Sequence, residues 1–88
     1  MVCDHCKKEI GLFNGWLSCP DMDAPDWQFV CKDCPDGFYD IPASRFFQSA
    51  GSTIDWLAHL IEKRWFDPRK FFEFMDRLRA NGGFYGRA

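Results

Sequence analysis

An α+β fold is the class this sequence predicts: a small antiparallel β module over residues 1–40, two or three packed α-helices over 41–81, and a flexible tail over 82–88. Three observations predict it. Two identical C-x-x-C spacings, Cys3–Cys6 and Cys31–Cys34, fall within the first 40 residues. The chain between them breaks into short β-type runs separated by Gly, Pro, Asn and Asp. After Asp40 the period becomes helical, with Ile54, Leu57, Ala58, Ile61 and Trp65 at i, i+3, i+4, i+7 and i+11.

In chain order, the first cysteine pair forms a knuckle, and Asn14-Gly15 predicts a hairpin turn. Trp16–Cys19 reads as a strand and Pro20–Asp26, with Pro20, Pro25 and three Asp, as a loop. Trp27–Val30 is a second strand, antiparallel to the first, that delivers the chain to Cys31. Pro35 and Gly37 then suit a turn rather than the first turn of a long helix. Pro42 predicts the start of a short helix carrying Phe46 and Phe47 and ended by Gly51. Ser52 predicts the cap of the next helix, with Asp55 completing a capping box. Trp56 and Leu60 widen its apolar stripe, and it should end near Phe66, because Asp67 precedes Pro68. Asp67 as cap and Pro68 at the first position open the last helix. Its stripe is Phe71, Phe74, Met75 and Leu78, with Phe72 at the border. Arg69–Glu73 and Glu73–Arg77 are i, i+4 charge pairs, and Asn81-Gly82-Gly83 is the stop.

At 88 residues the chain buries only roughly 60–65% of its unfolded surface, so its apolar core alone is marginal. Ten Phe, four Trp and two Tyr offset this, each ring burying roughly 150–250 Å². Sixteen rings exceed what so small a domain hides easily, and the surplus predicts a partner surface.

Cys3, Cys6, Cys31 and Cys34 supply four thiolates. Zn²⁺, a borderline-soft ion, takes such a set tetrahedrally, and the closed shell leaves no position for a substrate. Mononuclear iron or a [2Fe–2S] cluster uses the same ligands; a redox dithiol is a weaker reading, because catalytic C-x-x-C motifs usually occur singly at a helix start. Cys19, the fifth cysteine, reads as a buried strand residue, with a reactive thiol or a ligand swap as alternatives. An odd count and no apolar leader after Met1-Val2 argue against a secreted disulfide scaffold and for a reducing, cytoplasmic setting. No apolar run approaches the roughly 20 residues of a membrane span.

His5 and His59 read as exposed side chains. Neither is placed as a nuclease of the HNH type requires. Asp21, Asp23 and Asp26 lack the glycine and closing Glu of a calcium loop. The net charge of −2 divides into −5 over residues 1–40 and +3 over 41–88. The cysteine half is therefore a poor match for phosphate backbones. Lys63, Arg64, Arg69 and Lys70 flank the helix junction at Trp65 and Phe66. They are either solvated helix ends or an anionic-partner patch on which Trp65 or Phe66 stacks.

Through Cys3, Cys6, Cys31 and Cys34, residues 1–40 resemble the broad class of Cys₄ zinc-ribbon proteins. The resemblance implies structural zinc and knuckles whose backbone N–H groups hydrogen-bond to the first sulfur, and Pro35 and Gly37 after the second pair favour a ribbon over a treble clef. The reading that follows is a non-enzymatic, zinc-stabilised interaction module or small regulator. It would bind a protein partner and need no small-molecule substrate. A nucleic-acid-binding transcriptional regulator working through the basic helices is the alternative, and a small iron or redox protein the second.

Overall fold

The structure, a computed structural model, describes residues 1–23, 26–34 and 37–82. Pro25 of the expected loop, Pro35 of the expected turn and the tail beyond Gly82 lie outside the described residues. A single 3-10 turn at Leu12–Asn14 leads into strands β1 (Gly15–Cys19), β2 (Gln28–Cys31) and β3 (Tyr39–Pro42). Helices α1 (Ala43–Phe46), α2 (Ala50–Ile61) and α3 (Pro68–Gly82) follow. The strands make one antiparallel sheet in the order β2-β1-β3, giving the α+β class.

Both expected strands form, antiparallel as expected. Asn14-Gly15, however, turns no hairpin. Asn14 closes the 3-10 turn, its N–H donating to Gly11 O at 3.1 Å, and Gly15 is extended and paired with Cys31. The glycine answers a close approach instead: a Cβ there would stand 2.3 Å from Cζ of Phe29. Strand β3 was not anticipated, because Pro42 reads as a helix start. As an edge strand β3 tolerates a residue without an N–H. Pro42 closes it opposite Trp16 and also serves as the N-cap residue of α1. The 40/41 boundary read from the sequence thus falls inside β3.

Successive strand residues point to opposite faces, and the two faces of this sheet serve different clusters. Leu17 lies between Phe29 and Ile41 in register. These three and Cys19 share a core with Phe46, Leu60, Phe71, Phe74 and Leu78. Trp27, just before β2, sits among the rings of this core. Its ring meets Phe71 edge-on at 4.9 Å and also contacts Phe74, Tyr39 and Trp65. On the other face, Trp16 and Val30 pair across β1 and β2 and pack with Ile10, Cys3, Cys31 and Cys34.

The middle helix corrects the sequence reading in three ways. Ser49, not Ser52, is its N-cap, accepting the Ser52 N–H at 3.1 Å, so Gly51 lies inside the first turn rather than ending α1. The helix ends at Ile61, and turns carry the chain to Trp65. Its inward face is Thr53, Trp56, Leu57 and Leu60: Thr53 Oγ1 donates to Phe46 O at 2.6 Å, and Leu60 is fully buried. Ile54, Ala58 and Ile61, expected inside, face water, with Ile54 63% and Ile61 70% exposed.

Helix α3 follows expectation more closely. Asp67 Oδ1 accepts the N–H groups of Arg69 and Lys70 at 3.0 and 3.3 Å. Phe71, Phe74 and Leu78 are buried, Met75 is half-buried, and Phe72 is exposed. Neither expected pair, Arg69–Glu73 or Glu73–Arg77, forms among the described residues; Arg77 turns to Asp4 instead. No helix among the described residues is long and apolar enough to cross a membrane.

Candidate metal centre

The first knuckle is a tight loop closed by a bridge between Val2 and Glu9. Cys3 N–H donates to Lys8 O at 2.9 Å and Lys7 N–H to Cys3 O at 3.0 Å. Lys7 takes the left-handed conformation, φ 67°, which costs a non-glycine residue roughly 1–2 kcal/mol. The second knuckle leaves the end of β2, with Cys34 N–H donating to Cys31 O at 2.9 Å.

Asp4 joins the first knuckle to the sheet. Its N–H donates to Phe29 O at 2.8 Å, and its Oδ2 accepts the Phe29 N–H at 2.8 Å. Arg77 then grips the same carboxylate with two bonds, to Oδ1 at 3.1 Å and Oδ2 at 2.8 Å. One side chain therefore ties the first knuckle to β2 and to α3. No sequence signal marks this pair, whose members are 73 residues apart. The only hint is an acidic residue inside a knuckle.

The four Sγ atoms of Cys3, Cys6, Cys31 and Cys34 lie within 4.8 Å of one another. Cys6 and Cys31 are 3.6 Å apart, and Cys31 and Cys34 3.4 Å. A tetrahedron with Zn–S bonds of about 2.3 Å has edges of about 3.8 Å, so the cluster is close to the size such an ion needs. Cys3 Sγ accepts the N–H groups of Cys6 and Cys31, each at 3.3 Å. Cys3 and Cys31 are buried, Cys34 is half-buried and Cys6 exposed, so the cluster opens to water on one side.

Two of the thiols, Cys3 and Cys34, are moved in opposite directions. Burial pushes the Cys3 thiol up, but the N–H groups of Cys6, Cys31 and His5 outweigh it and bring the thiol down to about 6. Cys34 is pushed up to about 12, first by its hydrogen bond with Cys31, then by burial and the sulfurs of Cys6 and Cys3. Like charges this close cannot all ionise unaided, and a bound cation is what deprotonates coordinating thiols outright. Lys8 adds positive charge beside the cluster; the thiolate of Cys31 and then the Asp33 carboxylate, 3.6 Å from its Nζ, push the ammonium up. The donor set and its spacing fit a metal ion such as zinc.

Cys19 stands outside the cluster, fully buried within the main core. Burial above all raises its thiol, and the Asp21, Asp26 and Asp40 carboxylates add to the rise. His5 and His59 are exposed. Trp65 is half-buried among Trp27, Phe38 and Tyr39, and Phe66 packs on Phe71 at 5.4 Å. Lys63 Nζ lies 5.2 Å from the centre of the Tyr39 ring, and Lys70 pairs with Asp26 at 2.9 Å. Arg64 and Arg69 are exposed, with no ion pair among the described residues. The cysteines are thus brought together, whereas the four cations do not converge on one partner. No protein-family model, curated protein or solved structure matches this chain.

Proposed function

We propose that this protein is a non-enzymatic interaction module that zinc holds in shape and that binds a protein partner through the outward face of α2. The observation that carries the reading is the line of Ile54, Ala58 and Ile61, all exposed on a helix whose opposite side is already anchored by Leu60. The fold needs none of the three in its core. Apolar residues aligned at the surface mark interaction sites far more than isolated ones do. A four-thiolate shell is coordinatively closed, which supports a structural rather than a catalytic metal. Five unpaired thiols support a reducing compartment such as the cytoplasm.

The test compares the wild-type protein with an Ile54→Asp/Ile61→Asp variant, each purified from the native host with metal content measured on the same sample. One zinc per chain, and a co-purifying protein lost in the variant, are the expected results. Partners retained equally by both would overturn the α2 reading. DNA or RNA binding that weakens steeply with salt and ignores the two substitutions would favour a nucleic-acid regulator. Visible absorbance would favour iron.

A further inference from the structure

The outward stripe of α2 is bordered by charge on one side. Gly51, Ile54, Ala58 and Ile61 lie at i, i+3, i+7 and i+10, all exposed, alternating small and large as a helix-packing surface does. Asp55 and Glu62 each follow an isoleucine of the stripe by one residue and stand seven apart, so both border the same side of it. Both are exposed, and neither has an ion pair among the described residues. Glu62 is moreover the C-cap residue of α2, where the helix dipole disfavours a carboxylate. The fold gains nothing visible from a negative charge there.

The two carboxylates discriminate among occupants. With Ile54 and Ile61 at d and Ala58 at a, Asp55 and Glu62 fall at e. An antiparallel pair of identical α2 helices sets e against e, carboxylate against carboxylate. A parallel pair sets e against the preceding g, and the g positions inside the helix, Ala50 and Leu57, bring no cation; the next, Arg64, lies in the turns beyond it. A second copy is therefore a poor occupant. Resting on the protein-partner reading above, we infer that α2 docks an amphipathic helix of another protein whose apolar stripe is bordered by Lys or Arg. The isoleucines would supply the apolar anchors, and the charged border would select the partner.

Fluorescence anisotropy of two labelled synthetic helices against the zinc-loaded full chain tests this. One carries a Leu stripe bordered by Lys, the other the same stripe bordered by Glu. The Lys helix should bind at least about tenfold more tightly than the Glu helix. Ile54→Asp/Ile61→Asp should weaken it by about tenfold or more, with zinc content and circular dichroism unchanged. Asp55→Lys/Glu62→Lys should reverse the preference. Equal binding of both helices, or indifference to these substitutions, overturns the inference. So does a wild-type dimer in sedimentation that Ile61→Asp abolishes, or binding that appears only when residues 83–88 are deleted. If neither helix binds but a native partner is lost in the isoleucine variant, the basic-helix inference falls and the protein-partner reading stands.

Discussion

Helices α2 and α3 carry apolar stripes of similar clarity, and the fold treats them oppositely. The stripe of α3 is inside, with Phe71, Phe74 and Leu78 buried. Of the stripe the sequence predicts around α2, Ile54, Ala58 and Ile61 are outside, while Leu57 and Trp65 pack against the core. The difference lies in what stands on the other side of each helix. Away from its stripe, α3 offers Arg69, Glu73, Asp76 and Arg79, so only one face can be buried. Between Ala50 and Ile61, α2 has only Asp55 and His59 as titratable groups, and it has two apolar faces, Trp56–Leu57–Leu60 and Ile54–Ala58–Ile61. A period of 3.6 residues reports that a helix is amphipathic. It ranks two apolar faces only when one of them is interrupted by charge. In α2 the choice falls to tertiary contacts, the Thr53 hydroxyl on Phe46 O and the seat of Leu60 in the core.

The largest expected effect tests how far each helix depends on the metal centre. Zinc binding in small domains is worth roughly 10–16 kcal/mol, as large as the roughly 5–15 kcal/mol net stability of a domain. Chelation, or Cys31→Ser, should therefore unfold at least residues 1–40. Amide exchange in α3 should quicken with it, because Arg77 ties α3 to the first knuckle. Retention of the full native circular dichroism by chelated protein with all cysteines reduced would refute the metal reading.

The next effect separates the two stripes directly. Phe71 is fully buried and touches the rings of Trp27, Phe46, Phe66 and Phe74. Phe71→Ala should destabilise by about 3–5 kcal/mol in urea unfolding. Ile61→Ala, at an exposed position, should change stability by no more than about 0.5 kcal/mol. Comparable losses at both positions would mean that the α2 stripe is buried after all.

The same contrast shows which parts of the fold could be read from sequence. The four ligands are legible because their spacing is local and their chemistry narrow, and α3 because cap, proline and stripe agree. The pairing of β1 with β2 follows from short runs and a turn-rich connection. Contacts that depend on distant partners were not legible. Asp4 and Arg77 meet only once the sheet has formed. Strand β3 depends on β1 being free on that edge, which no pattern in Tyr39–Pro42 announces. Gly15 looked like a turn residue because its real constraint, the Phe29 ring across the ladder, is nonlocal.

The Asp4–Arg77 link gives a smaller effect and the most specific one; α2 is tied differently, by the Thr53 hydroxyl on Phe46 O. Burial raises the Asp4 carboxyl, but the Arg77 hydrogen bonds, the Phe29 N–H and the charges of Arg77 and Lys7 outweigh it and hold the group below its usual range. Both side chains are partly exposed, so Asp4→Ala should cost only about 1–2 kcal/mol. A carboxylate with a depressed folded pKa adds stability that is complete above its unfolded value, about 3.9, and is lost as pH falls through the lower folded value. The gap between wild type and Asp4→Ala should therefore stay flat from about pH 8 to about pH 5 and close only below about pH 4. The comparison applies over the range in which both proteins keep their metal, measured on the same samples, because loss of the metal should unfold residues 1–40 in either protein. Arg77→Met should remove much of the same energy, and the double variant should lose less than the two single losses added. A gap that narrows between pH 7 and pH 5, or strict additivity, would mean that α3 is held by packing alone and that the first knuckle reaches it only through the sheet.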